Sequence, residues 1–280
     1  MKNFLAKYFG PKKPAKLATR ALGPIMQSVS ERSLHLVPSK AETRSFLGGA
    51  STLRPPMESP LFNGKPLPLV AQIDLGEVQK AQSTPWLPHS GTLSFFYDVF
   101  DQSIWGFDPE DRSGSAVVYS PNISGNVSHI VRSNDGLARI PVHFVPRPSY
   151  PSSEREIVSA LALNSDEIDA WYKIESESFG GHPRHQMFGF PSNIQGDDME
   201  LECQLVSNGI YCGDSSGYES IQAKEFEPGK TDWRLLLQVD SDEDGLGVMW
   251  GDAGALYYWI REQDATARRF DKAWMIFQCH

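Results

Sequence analysis

Residues 235–260 read LLLQVDSDEDGLGVMWGDAGALYYWI, and two parts of this stretch recur earlier in the chain. Residues 70–74, VAQID, align with residues 236–240, LLQVD. Residues 91–96, GTLSFF, align with residues 254–259, GALYYW. Because both blocks recur in the same order with different spacing, the sequence predicts an old internal duplication whose two halves pack as one domain.

A third block supports the same prediction from further upstream. Residues 45–49, SFLGG, resemble residues 178–181, SFGG. The predicted organisation is, in chain order, a basic N-terminal leader (1–43), a first repeat (about 44–150), a helical connector (about 151–177) and a second repeat (about 178–280), the last three forming one domain (44–280).

Short apolar runs separated by Gly, Pro, Asn and Asp are typical of β-strands. In the connector, Ser153 with Glu156 and Asn164 with Glu167 form capping boxes, which predict two helix starts. A short helix is predicted from Asp264. Together these elements predict an α+β fold with two related, mostly antiparallel sheet-containing halves. The candidate strands are 69–75, 93–100, 116–119, 139–145, 201–206, 233–239, 255–260 and 274–278.

The acidic run in the quoted stretch resembles the start of a calcium-binding loop. Asp240, Asp242 and Asp244 alternate before Gly245. An EF-hand loop that begins at Asp240 needs a glutamate at its twelfth position, where this chain has Gly251. A solvated acidic turn between two strands is therefore favoured over a metal site, and no metal or cofactor is expected.

One motif raises the question of a nucleophile. Gly213-Asp-Ser215-Ser-Gly217 matches the nucleophile-elbow pattern, which requires a strand before the serine and a helix after it. The sequence after it is a poor helix, and Gly, Asp and Ser are turn residues. A polar loop is favoured, so no catalytic residue is assigned, and the sequence favours a protein that is not an enzyme.

The densest histidine cluster is His182-Pro-Arg-His185, with Gln195 and Asp197 following it. Two histidines three residues apart can ligate zinc from a helix, but Pro183 disfavours a helix at the preceding residue. A loop that offers hydrogen-bond donors to an anion is favoured over a zinc site.

Trp250, beside Gly251 and Asp252, leaves two interpretations open. It is either a ligand platform at a strand end or a core aromatic followed by a turn. The candidate binding residues are His182, Arg184, His185, Gln195, Asp197, Asp240, Asp242, Glu243, Asp244, Trp250 and Asp252.

Charge is unevenly distributed along the 280 residues. The formal net charge is −9, yet the first twenty residues hold six basic side chains and no acidic one, which leaves −15 for the remainder. Such an acidic body argues against nucleic-acid binding. The sequence has no long apolar run, so membrane insertion is not expected.

The N-terminal sequence and the cysteine spacing both favour a cytoplasmic protein. The first twenty residues lack the apolar segment of a secretory signal. The cysteines, Cys203, Cys212 and Cys279, have no disulfide-framework spacing. We expect buried free thiols in a cytoplasmic protein.

The motifs together resemble the YwqG-like family, a bacterial domain of unknown function. The resemblance covers about residues 44–280. It is carried by the repeat blocks and by His185-Gln-x-x-Gly189-x-Pro191, Gln195-Gly-Asp197, Trp250-Gly-Asp252 and Phe277-Gln-Cys279. It implies an α+β fold with two related halves and no established reaction or cofactor. Some relatives lie near bacterial toxin genes, which implies an immunity or partner-binding role.

Two hypotheses follow for function. The first is a non-catalytic cytoplasmic binding protein, of the immunity type that neutralises a protein toxin by direct binding, since an acidic body complements a basic partner. The second is an enzyme or small-ligand-binding protein that uses a cleft between the two halves, lined by residues 182–197 and 240–252.

Overall fold

The structure is a computed structural model that describes residues 20–51, 53, 58–121, 136–196 and 198–280. The helices are α1 (Leu22–Val29), α2 (Leu75–Ala81), α3 (Glu156–Ser159), α4 (Ser165–Ser178), α5 (Met199–Val206), α6 (Ser215–Glu219), α7 (Ile221–Phe226) and α8 (Glu262–Thr266), with 3-10 turns at Pro109–Gly114, Glu227–Asp232 and Phe270–Lys272. The strands are β1 (Glu31–Pro38), β2 (Phe46–Leu47), β3 (Leu61–Phe62), β4 (Lys65–Pro66), β5 (Leu69–Asp74), β6 (Thr92–Tyr97), β7 (Ser115–Ser120), β8 (Ile140–Ser149), β9 (Gln186–Met187), β10 (Trp233–Asp240), β11 (Ala255–Arg261) and β12 (Trp274–Gln278).

One large sheet organises the molecule, which confirms a mixed helix and strand fold. Its order is β12-β11-β10-β9-β1-β8-β2-β5-β6-β7, while β3 and β4 form a separate hairpin. Pairing between the described strands is antiparallel throughout. The edge strands β7 and β12 approach each other, so the sheet is nearly closed into a barrel.

The core lies inside this curved sheet. Phe95 on β6 meets Tyr258 on β11 edge to face, with ring centroids 5.1 Å apart, and Tyr97 on β6 meets Phe277 on β12 at 6.2 Å. These contacts join strands from opposite ends of the sheet order, so the sheet encloses the side chains between them. On the outer face of β10–β12, helices α5 and α7 complete a second cluster. β5 and β11 are buried along nearly their whole length, and residues 255–260 of β11 form the continuous apolar sequence expected of a strand buried on both faces.

The two aligned blocks occupy corresponding strands with the same register. Gln72 on β5 lies opposite Ser94, and Gln238 on β10 lies opposite Tyr257. The register shifts at the same place in both pairs, between Leu69 and Ala71 and between residues 235 and 237. Gln72 and Gln238 therefore hold the same position in their respective strand pairs.

The third sequence block is aligned wrongly. Phe46 on β2 pairs with Gln72, whereas the residue that pairs with Gln238 is Gln186 on β9. The counterpart of Phe46 by register is thus Gln186, and not Phe179, which caps the end of α4. Short Gly-containing blocks recur by chance at turns, which explains the error.

The folded part of the chain begins before residue 44. Residues 22–38 form α1 and β1, and β1 lies in the middle of the sheet between β8 and β9. Its central residues 33–36 are all buried, so the strand lacks the alternation of a half-exposed strand.

Three local predictions also need correction. Residues 201–206 belong to helix α5, not to a strand. The capping box at Asn164 and Glu167 is confirmed, but Ser153 does not cap α3, whose N-cap is Arg155. Helix α8 begins at Glu262, before the predicted Asp264.

Candidate functional site

Four of the sequence-predicted residues, Arg184, His185, Asp240 and Asp242, come together at the carboxyl end of β10. The backbone N–H of Arg184 donates to Asp240 Oδ2 at 2.9 Å. The backbone N–H of Asp240 donates to His185 Nδ1 at 3.1 Å. Gln238 on β10 binds the segments on both sides of β9. Its side-chain nitrogen donates to the Arg184 carbonyl, and its side-chain oxygen accepts from the Ser192 N–H. The loop after α4 is thus tied to β10 by side chains of both segments.

His185 is buried and faces the acidic turn, which is formed by residues 240–245. Because Nδ1 accepts a hydrogen bond, the neutral ring carries its proton on Nε2. That nitrogen lies 3.5 Å from Asp242 Oδ2. His185 lowers the pKa of Asp242, while burial opposes this and the N–H of Gly245 assists it.

The acidic turn is held rigidly by its own hydrogen bonds. Asp242 Oδ1 accepts from Gly245 N–H at 2.9 Å, and the Asp242 N–H donates to the Val248 carbonyl at 2.9 Å. Ser241 Oγ accepts from Trp250 N–H at 2.9 Å. Glu243, like its neighbour at 244, is exposed. The turn therefore displays acidic side chains on a fixed backbone.

Trp250 is a core residue and not an exposed platform. Its side chain is fully buried, its indole N–H donates to the Asp240 carbonyl at 3.2 Å, and its ring meets Tyr97 edge to face at 5.8 Å. Of the two interpretations left open by the sequence, the core aromatic is the one observed. Asp252 remains exposed beside it.

The remaining candidates are dispersed. His182 is exposed on the loop after α4, and Gln195 is exposed with its backbone bound by the side chain of Gln278. Asp197 lies outside the described residues. Within residues 20–51, 53, 58–121, 136–196 and 198–280, no group of three or more His, Cys, Asp or Glu side chains is arranged to hold a metal ion.

A pocket of about 320 Å³ adjoins this cluster and is lined by Arg184, Gln238, Asp240 and Tyr257. Behind it, Ser192 Oγ donates to Glu175 Oε1 at 2.5 Å, and burial raises the pKa of Glu175.

A larger cleft lies near the other end of β10 and was missed by sequence reasoning. We call it the tryptophan cleft, because Trp86, Trp233 and Trp259 line it. Its volume is about 530 Å³, within the range of roughly 300–1,000 Å³ typical of small-ligand sites. It joins the segment after α2, the start of β1, the segment after β9 and the amino end of β10.

Aromatic rings form the walls of the tryptophan cleft. Trp86 meets Phe188 edge to face, with centroids 5.4 Å apart. The guanidinium of Arg155 lies over Phe190, 5.2 Å from the ring centroid. Phe188 has a φ of +66°, a conformation uncommon for a residue with a side chain and often found at binding sites.

Three buried polar atoms without hydrogen-bond partners belong to residues that line this cleft. They are Trp259 Nε1, Arg155 Nε and Gln82 Oε1. Trp259 is only 1% exposed. An unpaired buried polar group costs about 1–3 kcal/mol, and such groups concentrate where a ligand or water completes the structure.

An ion pair closes one side of the cleft. Arg155 Nη2 lies 2.7 Å from both carboxylate oxygens of Glu200. Burial raises the pKa of Glu200, and Arg155 opposes that rise. The pair uses Nη2 and leaves Nε as the unpartnered donor.

A family model described as Domain of unknown function (DUF1963) matches residues 45–279. The chain belongs to this family. The match includes most of the described sheet but begins after β1, although β1 is central to the DUF1963 fold seen here. A comparison with curated proteins found no significant match.

Other features of the DUF1963 domain bear on the sequence predictions. Ser215 begins the five-residue helix α6, whose N-cap is Asp214, and no strand precedes it. The nucleophile-elbow geometry is therefore not formed. The cysteines, Cys203, Cys212 and Cys279, are free and buried, as predicted. In the part of the chain that the structure describes, no helix is both long enough and apolar enough to cross a membrane.

The tryptophan cleft left only weak signals in the DUF1963 sequence. Trp86 lies beside Pro85, and Phe188 and Phe190 flank Gly189, but the same arrangement occurs elsewhere in the chain, as at Trp105-Gly106-Phe107. Nothing in the local sequence shows that these loops meet.

Proposed function

We propose that this protein is a non-catalytic binding protein that holds a small ligand in the tryptophan cleft. The observation that carries the proposal is the set of unpartnered buried polar atoms, Trp259 Nε1, Arg155 Nε and Gln82 Oε1, around a cleft of about 530 Å³. A ligand with matching donors and acceptors would complete these hydrogen bonds.

The internal duplication belongs to this proposal. The equal register of β5–β6 and β10–β11, with the shift at the same place, supports descent of the two halves from one ancestral unit. The cleft takes Trp86 from the first half and Phe188 from the second. Clefts between related halves are frequent ligand sites.

The experiment is a screen of small aromatic compounds, charged and neutral, by the ¹H–¹⁵N indole signals of the seven tryptophans. Binding in the cleft should shift the signals of Trp86 and Trp259 and leave that of Trp105 unchanged, because Trp105 stacks on Phe277 outside the cleft. Trp86→Ala should weaken binding, and Trp105→Ala should not. A screen in which no compound shifts the Trp86 or Trp259 signal would refute the proposal.

A second candidate function is recognition of a basic protein through the acidic turn. It retains the YwqG-like, bacterial and immunity expectations, including the toxin partner. The observation that favours it is a rigid turn displaying Glu243, Asp244 and Asp252, since a pre-organised epitope loses little entropy on binding.

The test of this second function uses pull-down from the host and association rates at two salt concentrations. Neutralising Glu243, Asp244 and Asp252 together should slow association with a basic partner and reduce its salt dependence. Ser215→Ala serves as the control and should leave the rates unchanged. Equal rates for the wild type and the triple variant would exclude the acidic turn as the contact surface.

A further inference from the structure

We propose that the ligand of the tryptophan cleft is a small organic anion that carries a planar ring; this rests on the proposed function of the cleft. The lining contains four cationic side chains, Arg32, Arg155, Lys230 and Arg234, against two acidic ones, Glu31 and Glu200. The whole chain has a net charge of −9. Arg155, Lys230 and Arg234 are paired with carboxylates, so Arg32 carries the positive charge of the lining that has no acidic partner among the described residues. Such a cation attracts anions.

The cations of the cleft differ in how far they are already neutralised. Lys230 Nζ lies 2.7 Å from Asp198, and Arg234 lies 3.1 Å from Glu262. Arg32 has no ion pair with any acidic residue that the structure describes, and its side chain is exposed. Arg155 keeps Nε without a partner. Arg32 is therefore the lining cation without an acidic partner, and the Nε of Arg155 is a buried donor that no described protein group satisfies.

The ring of the ligand has a matching surface. Trp86 and Phe190 are only half-buried, so part of each ring faces the cleft. Phe188 backs Trp86 edge to face and holds its orientation. Planar rings stack favourably on such side chains, and Arg155 over Phe190 already shows the geometry of a cation on an aromatic face.

The indole N–H of Trp259 adds a requirement for a hydrogen-bond acceptor. Trp259 lines the cleft, and its Nε1 is buried without a partner. An indole nitrogen is a donor only, so the ligand group that satisfies it must be an acceptor. The ligand therefore needs an anionic group, a planar ring that can stack, and a hydrogen-bond acceptor for Trp259. A planar ring that carries an acidic group and acceptor atoms has all three.

The experiment measures affinity by tryptophan fluorescence for two matched pairs and one bare anion. The pairs are adenosine 5′-monophosphate with adenosine, and 1-naphthoate with 1-naphthalenemethanol; the bare anion is inorganic phosphate. The two pairs distinguish a phosphate ligand from a carboxylate ligand. At least one ring-bearing anion should bind about tenfold more tightly than its neutral partner and than phosphate, because charge-assisted hydrogen bonds are the stronger ones.

Variants assign the effect to the cleft. Arg32→Gln, at an exposed position where folding is not at risk, should remove most of the advantage of the anion over its neutral partner. Arg268→Gln changes an exposed arginine outside the cleft and should not. Trp86→Ala should lower the affinity for the anion and for its neutral partner by a similar factor, and Trp105→Ala, the control, should leave both affinities unchanged.

Each contrary result has a distinct meaning. Neutral rings that bind as tightly as the anions, with Trp86 and Trp259 signals still shifting, would overturn the anion assignment and leave the cleft as a binding site. Phosphate that binds as tightly as the ring-bearing anions would overturn the ring assignment. Absence of binding by every ring compound, here and in the wider screen, would overturn both the ligand class and the proposed function.

Discussion

At the residue scale, His185 links the loop after α4 to the acidic turn. Its ring accepts from the Asp240 N–H through Nδ1 and turns Nε2 towards Asp242. The sequence singled out His185 for its neighbour His182, yet the structure separates the two, one buried and one exposed. Residue type and spacing identified His185 as a candidate binding residue. The structure shows instead that its buried ring accepts a hydrogen bond from the backbone of Asp240.

We predict that His185→Ala destabilises the protein by about 2–4 kcal/mol, because it opens a cavity and leaves the Asp240 N–H unpaired. His182→Ala, three residues away and exposed, should change the unfolding free energy by less than about 0.5 kcal/mol. Urea unfolding of both variants measures this. Equal losses would show that the ring of His185 has no structural role.

A second prediction at this scale concerns pH. His35 on β1 is buried and stacks on Phe179 with ring centroids 4.2 Å apart. Burial, assisted by the positive charge of Arg147, lowers the pKa of His35 to about 4. The unfolded chain, with a pKa of about 6.5, then binds the proton first as pH falls. Stability from the neutral ring is present above pH 6.5 and is lost towards pH 4, by up to about 1.4 kcal/mol per pH unit.

His35→Gln should remove this slope from the unfolding free energy between pH 6.5 and 4. His143→Gln, which replaces an exposed histidine on the neighbouring strand β8, should retain it. Denaturant titrations at four pH values compare the two variants with the wild type. A wild-type slope that survives in His35→Gln would assign the effect to other groups.

At the element scale, helix α5 shows what the sequence contained and what its interpretation missed. The apolar run at 201–206 suggested a strand, but the buried residues Met199, Cys203 and Val206 recur at helical spacing. Asp198 caps the helix by accepting from the Leu201 N–H at 3.3 Å. Strand β1 was missed for a different reason: residues 33–36, SLHL, alternate polar and apolar residues, but they were assigned to the N-terminal leader with the basic segment before them.

For the acidic turn we predict that calcium does not stabilise the protein. The carboxylates of Asp240 and Asp242 already accept hydrogen bonds from Arg184, Ser241 and Gly245 N–H groups, so they are occupied as turn-forming acceptors. A site with a Kd of about 0.1 mM would add about 2.7 kcal/mol at 10 mM calcium. We expect the Tm to be the same in calcium, magnesium and chelator.

Asp242→Ala provides the control for this prediction. It should lower the Tm by the same amount with and without calcium, because it removes the turn hydrogen bond and the contact with His185. A rise in wild-type Tm with calcium that Asp242→Ala abolishes would identify a calcium site in the turn.

At the scale of the whole molecule, the sheet order and the tryptophan cleft depend on contacts that no local pattern contains. The repeat blocks predicted that β5–β6 and β10–β11 correspond, because each block carries its own strand pattern. The cleft draws its lining from segments as distant in sequence as Arg32, Trp86 and Trp259. Only the nearly closed sheet brings these segments together, so the sequence could not reveal them as one site.

Closure of the sheet gives the last prediction, at the seam between the segment after β6 and strand β12. Phe277 N–H donates to the Trp105 carbonyl at 2.9 Å, and the Trp274 indole donates to the Gly106 carbonyl at 2.8 Å. Gly106 has a φ of +86°, and a Cβ there would collide with the Met275 carbonyl oxygen. Gly106→Ala should therefore cost about 3 kcal/mol, from backbone strain plus overpacking. Gly209 has a φ of +89° and open space around its Cα, so Gly209→Ala should cost only about 1 kcal/mol. The hydrogen-exchange rate of the Phe277 amide, corrected for global stability, should rise in Gly106→Ala and stay at the wild-type value in Gly209→Ala. Equal losses of unfolding free energy and equal exchange rates would mean that the close approach at the seam does not stabilise the barrel, and that its interior core alone holds it together.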